Sequence, residues 1–106
     1  MNPVQFDWDE DNIGHLGRHQ IEPGEAEQVI LNRPCDLETH IRSGESRVVQ
    51  VGETNSGRVL VVVSTMRGKH VRIITAWPAE KRLQRYFSTQ KKSGNAGRVA
   101  EEEFPE

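Results

Sequence analysis

The chain has a single cysteine, Cys35, among its 106 residues. No disulfide can form within it, and a four-cysteine zinc site is excluded. Nor is there a run of about 18 apolar residues of the kind that spans a membrane. Residues Met1 to Glu10 are acidic where a signal peptide would be basic and then apolar, so the sequence predicts an unexported, cytoplasmic protein. Hydrophobic residues make up 34% of the chain, enough for one modest core and no second domain. Glycine-rich phosphate loops and a serine nucleophile elbow do not occur. His15 and His19 stand one helical turn apart, but His15-Leu16-Gly17-Arg18-His19 lacks the glutamate that a zinc protease carries after its first histidine. Neither a metal nor any other cofactor is expected.

What the sequence does have is charge, unevenly distributed. The formal net charge of -2 conceals three blocks of alternating sign. Residues 1–66 hold 5 basic and 11 acidic side chains, residues 67–98 hold 9 basic and 1 acidic, and residues 99–106 hold four glutamates and no cation. Closely spaced cations bind phosphates favourably because condensed counterions are released. The basic block reads as a phosphate-binding surface or, as readily, as a solvated helix face.

The middle of the chain alternates β-rich runs with turns. Arg47 to Glu53, Arg58 to Thr65 and His70 to Trp77 read as strands, and connections as short as Thr54-Asn55-Ser56-Gly57 and Arg67-Gly68 join only antiparallel neighbours. Val59-Leu60-Val61-Val62-Val63 has no polar alternation; such a strand needs cover on both faces and belongs in the centre. Leu37, Thr39 and Ile41 suggest a weaker fourth strand at the edge. Helices flank the sheet. Asp9, Glu10 and Asp11 open one that runs to His19 and spaces Ile13 and Leu16 three apart. Pro23 opens a second that buries Ala26, Val29 and Ile30 and stops before Pro34. Pro78 opens a third, with Ala79, Leu83, Tyr86 and Phe87 as its apolar stripe and Lys81, Arg82 and Arg85 around its other side. The fold class is α+β: an antiparallel sheet of three to four strands with two N-terminal helices and one C-terminal helix. Residues 1–92 read as one domain, and residues 93–106 as a flexible acidic tail able to fold back towards the basic helix.

The order of these elements and several local motifs resemble one known family. Phe6-x-Trp8-Asp9-Glu10, Arg18-His19 and Pro23-x-Glu25-Ala26-Glu27 resemble the N-terminal helices of the BrnT toxins. Glu45-x-Arg47, Gly57-Arg58-x-Leu60-x-Val62-Val63, Arg67-Gly68 and Val71-Arg72-Ile73-Ile74-Thr75-Ala76 are similar to the family's sheet, and Arg82 and Arg85-Tyr86 to its basic helix. The resemblance covers residues 6–87 in the same order. It implies a RelE-like fold and the toxin half of a type II toxin–antitoxin system. The implied activity is metal-independent endoribonuclease cleavage that stops translation, neutralised by a ribbon-helix-helix antitoxin. At the end of the strand motif, Thr75-Ala76-Trp77 stands where Ser-Ala-Arg is usual in the family.

Metal-independent cleavage of RNA by internal transfer needs a base for the 2′-hydroxyl, cations for the charge that builds on phosphorus, and an acid for the leaving 5′-oxygen. His19 is the acid–base candidate, because an unperturbed imidazole pKa of about 6.5 suits both proton transfers. Arg72 and Arg82 complete the catalytic candidates: a guanidinium binds two phosphate oxygens at once and keeps its charge. Arg18, Arg67, Lys69, Arg85 and Tyr86 are the RNA-binding candidates, Tyr86 by stacking or by donating to phosphate, although its place in the Leu83/Phe87 stripe fits a core position as well. Trp77 reads either way. A purely structural explanation stands beside each, namely a histidine satisfied at a helix end and arginines that keep the surface soluble. The alternative function is a non-catalytic RNA- or protein-binding module of the same fold, suggested by Trp77 and the acidic balance of the chain.

Overall fold

The computed structural model describes residues 3–92, and the acidic tail expected over residues 93–106 lies outside them. Helix α1 (Glu10–Arg18) is closed at its start by Asp9, whose carboxylate accepts from the backbone N–H groups of Asp11 and Asn12. Asn12 returns the contact, its Oδ1 accepting from the Asp9 N–H at 2.8 Å. This reciprocal cap satisfies donors that a helix cannot pair internally. Helix α2 (Pro23–Leu31) begins on its proline, as expected, and Glu25 reaches back to the Glu22 N–H. The strands β1 (Cys35–Arg42), β2 (Glu45–Glu53), β3 (Val59–Arg67) and β4 (His70–Pro78) follow, and α3 (Lys81–Lys92) comes last. All four strands form one antiparallel sheet in the order β1-β2-β3-β4. This is the expected α+β architecture.

Beside shifts of one or two residues at the ends of α1, β2, β3 and β4, two boundaries differ from the sequence reading for a reason that bears on the site. β1 is a full strand of 8 residues, because it is laddered to β2 from Cys35 opposite Val51 to Arg42 opposite Glu45, and such long-range pairing leaves little trace in local propensity. α3 begins at Lys81, since Pro78 still pairs with Leu60 and the Ala79 N–H donates to the Val59 carbonyl at 3.0 Å.

β3 is interior and covered on both faces, as its unbroken apolar run requires. Leu60 and Val62 pack with Leu16, Ile21, Ala26, Val29, Ile73 and Ala76 under α1 and α2. Val61 turns the other way, to Cys35, Leu37, Val51, Tyr86 and Phe87 beneath α3. Burying an aliphatic or aromatic side chain contributes roughly 1.5–3 kcal/mol, so each cluster holds its helices to the sheet. Gly52 permits the close approach of α2, since a Cβ there would lie 3.0 Å from side-chain atoms of Pro34 and Val29.

α3 covers only one end of its face, where Cys35, Val51, Val61 and Trp77 form a row across the sheet. The next row, Glu38, Val49, Val63 and Thr75, lies beyond it. Bulges interrupt the ladders on both sides of this row, with Leu37 the extra residue in β1 and Ile74 in β4. A bulge re-aims the side chains that follow it; here Glu38 and His40 come to the α3 side. Along the outer edge of β4, residues 5–7 add a short parallel bridge, with the Val71 N–H donating to the Gln5 carbonyl at 2.8 Å and the Asp7 N–H to the Val71 carbonyl at 2.9 Å. Among the described residues no helix is long and apolar enough to cross a membrane.

Candidate functional site

The uncovered part of the α3-side face is an open groove of about 500 Å³, within the range of ligand sites. Val49, Val63, Ile74, Thr75 and Trp77 floor it, and Glu38, His40, Arg42 and Arg47 stand at its β1–β2 end. The opposite face has a hollow of about 540 Å³ floored by Ile30, Val48, Met66 and Val71 and lined by none of the catalytic or RNA-binding candidates.

His19 is the C-cap of α1 and is exposed. α1 lies along β4: near its start the Asn12 amide donates to the Ile73 carbonyl at 2.9 Å, and at its end the His19 ring lies 6.5 Å from the Trp77 ring, centroid to centroid, at 54°. His19 therefore stands at the groove corner formed by half-buried Trp77, from which the chain continues directly into α3. Arg18 precedes it, also exposed. On α3 the apolar stripe turns Tyr86 and Phe87 into the core, and this leaves Arg82 and Arg85 exposed. The helix carries Lys81, Arg82, Arg85, Lys91 and Lys92 and no carboxylate. Lys91 is paired with Glu53. Among the described residues, Arg18, Arg82 and Arg85 are held in no ion pair.

Arg72 is placed very differently. Val71 and Ile73 pack under α1, so strand alternation turns Arg72 to the other face, at the edge of β4. Its guanidinium is nearly enclosed, with 11% of the side chain exposed, and Nη1 lies 3.0 Å from Asp9 Oδ2. Nη2 donates to Asp9 Oδ1 at 3.1 Å, and Nη1 also donates to Asp7 Oδ2 at 3.4 Å. The hydrogen bond from Arg72 holds the Asp9 carboxyl below the usual carboxylate range, and the same bond raises the guanidinium pKa further. Because Asp9 caps α1, Arg72 anchors the start of the helix whose other end carries His19.

Arg67 and Lys69 lie at the β3–β4 turn. Eight residue steps along β4 separate this turn from Pro78, about 26 Å at roughly 3.3 Å per residue. Arg67 Nε is 3.7 Å from Glu45 Oε2, and Glu45 also accepts from Arg47 at 3.0 Å. Arg67 and Lys69 thus lie at the opposite end of β4 from Trp77, beside which His19 stands and after which α3 starts with Lys81 and Arg82. Tyr86 is buried in the cluster beneath α3. The sequence reading missed His40, Arg42 and Arg47, which belong to the acidic block and are brought to the groove only by the pairing of β1 with β2. It also missed the partnership of Asp7 and Asp9 with Arg72. Among the described residues no group of three or more His, Cys, Asp or Glu side chains is placed to hold a metal ion.

The fold and site together define a small α+β protein with an open sheet face, a histidine against Trp77 at its corner, and exposed arginines on the helix that follows Trp77 in the chain. The chain belongs to the BrnT family, the ribonuclease toxins of type II toxin–antitoxin systems, whose family model matches residues 8–82. His19, Arg72, Trp77, Arg82 and the residues of the groove all lie within that match. As a toxin of this kind it has an antitoxin partner. No curated protein sequence matches the chain.

Proposed function

We propose that the protein is a metal-independent endoribonuclease of the cytoplasm that stops translation by cutting RNA and is neutralised by a ribbon-helix-helix antitoxin. The observation that carries this reading is His19 against Trp77 at the corner of an open groove, with exposed arginines, in no ion pair among the described residues, on the helix that follows Trp77 in the chain. His19 handles one of the two protons and solvent water the other: it accepts from the 2′-hydroxyl as that oxygen attacks phosphorus, or donates to the 5′-oxygen as its bond to phosphorus breaks, leaving a 2′,3′-cyclic phosphate. Arg82 and Arg85 bind the non-bridging oxygens, where a charge-assisted bidentate contact is strongest. Arg18, Arg67 and Lys69 contact the strand outside the reacting link. Arg72 acts by positioning, since its contacts fix α1, and Tyr86 supports α3 from beneath.

The test is cleavage of single-stranded RNA by the purified chain in the presence of a chelator. Cleavage with cyclic-phosphate ends is the expected result. Activity lost to the chelator and restored by zinc or manganese overturns the metal-free mechanism. Intact RNA with folded protein favours binding without cleavage, the second reading, which is supported by the engagement of Arg72 with two carboxylates. Growth arrest on induced expression, relieved by co-expressed antitoxin, tests the cellular half of the proposal.

A further inference from the structure

We infer that the β1–β2 end of the groove is a second phosphate subsite, formed by Arg42 and Arg47 with His40, that holds single-stranded RNA away from the reacting link. The inference rests on the ribonuclease reading above. His40 is the cross-strand partner of Arg47, and Arg42 lies two residues further along β1, opposite Glu45. All three line the groove that Trp77 lines at its other end. Between them the floor is apolar, through Val49, Val63 and Ile74. An aromatic and apolar floor with cations at its margin suits an unpaired strand, whose bases stack while its phosphates are neutralised.

The cations are held but not locked. His40 Nε2 lies 2.7 Å from Glu38 Oε1, and the Arg47 Nε donates to Glu45 Oε1 at 3.0 Å, which leaves both terminal nitrogens of Arg47 without a partner among the described residues. Arg42 is exposed and, among the described residues, in no ion pair. With side-chain exposures of 45% at Glu38 and 32% at Arg47, these pairs are wet and contribute little, so a phosphate can replace them at small cost. Glu38 is the one carboxylate that lines the groove, and it opposes a phosphate there.

Trp77 shares a row with Val61 and Val51, and Arg47 lies four residues from Val51 along β2. Four steps of about 3.3 Å and two strand spacings of about 4.8 Å separate the tryptophan from the arginine by roughly 16 Å. One phosphodiester link cannot span this; a short oligonucleotide can. The opposite hollow fits worse, because its charged lining residues are Asp36 and Glu45 and include no cation.

The test is binding of an uncleavable 2′-O-methyl hexaribonucleotide, read by fluorescence anisotropy over a range of salt, with a dinucleotide as the short probe. Arg42→Ala is expected to weaken hexanucleotide binding about fivefold at low salt and to reduce the slope of log affinity against log salt by about 0.7, the share of one cation on a single strand. Glu38→Gln is expected to tighten it, since an opposing charge goes while size and polarity stay. Both effects should be much smaller on the dinucleotide. Arg47→Gln should behave as Arg42→Ala does; if it unfolds, exposed Arg42 carries the test alone. Should Arg42→Ala and Glu38→Gln both bind the hexanucleotide as the parent does while Arg82→Ala binds it weakly, the subsite is overturned and the ribonuclease reading stands. Weaker antitoxin binding with unchanged RNA binding assigns the surface to the protein partner and also overturns it. A parent protein that binds no RNA brings down both readings.

Discussion

Arg72 and Arg82 come from the same basic block, ten residues apart, and the fold uses them in opposite ways. Arg72 is nearly enclosed and clamped by Asp7 and Asp9, which lie 65 and 63 residues away in sequence. Arg82 stands on an exposed helix face with no ion pair among the described residues. A nearly enclosed guanidinium bonded to two half-exposed carboxylates, one of them the cap of α1, is committed to the fold through its own burial and through the helix start it holds. One with no such partner is available to a ligand. Charge density along a sequence does not separate the two; burial and partners do.

The largest effect in this comparison belongs to the open end. His19→Ala should reduce RNA cleavage by roughly 10²–10⁴-fold, the usual range for a lost general acid or base, with no change in melting temperature. A rate within a few-fold of the parent, measured on labelled RNA, would remove His19 from the site. The clamped end should break differently. Asn12 is 1% exposed; its amide donates to the Asp7 and Ile73 carbonyls and accepts from the Asp9 N–H. Asn12→Ala should destabilise the protein by about 2–3 kcal/mol in urea denaturation, because buried backbone groups are left unpaired.

A smaller effect sharpens the comparison through pH. The folded Asp9 carboxyl lies below its ordinary value, principally through the hydrogen bond from Arg72. Its contribution is therefore fully present above the unfolded carboxylate pKa of about 3.9 and disappears as pH falls through the lower folded value. Asp9→Asn, which keeps a capping side chain, should be less stable than the parent at neutral pH, and the gap should close below about pH 4. A gap that persists unchanged in acid would show that the Asp9–Arg72 pair is not its source.

The fold was legible where the pattern is local. The Val59 to Val63 run announced an interior strand, Pro23 a helix start, and Leu83, Tyr86 and Phe87 the buried side of α3. β1 was underestimated because its length comes from pairing with β2, and α3 was placed three residues early because Pro78 closes a strand before the helix begins. Of the candidate site, Arg18-His19 and Arg82 were put forward through the resemblance alone. Asp9 was read correctly as a helix-opening anion, but its grip on Arg72 joins segments more than sixty residues apart, and no spacing rule reveals that. His40, Arg42 and Arg47 were hidden for a related reason: the net charge of their own block is negative, and strand pairing alone gathers them.

The most direct test compares Arg72→Ala with Arg82→Ala, each assayed for thermal melting and for RNA cleavage on the same preparation. Arg72→Ala is predicted to melt well below the parent, and Arg82→Ala to melt with the parent while losing most of its cleavage. An Arg72→Ala protein that keeps the parent melting temperature yet loses cleavage would contradict the account, because it would make Arg72 a direct phosphate contact rather than the anchor of α1.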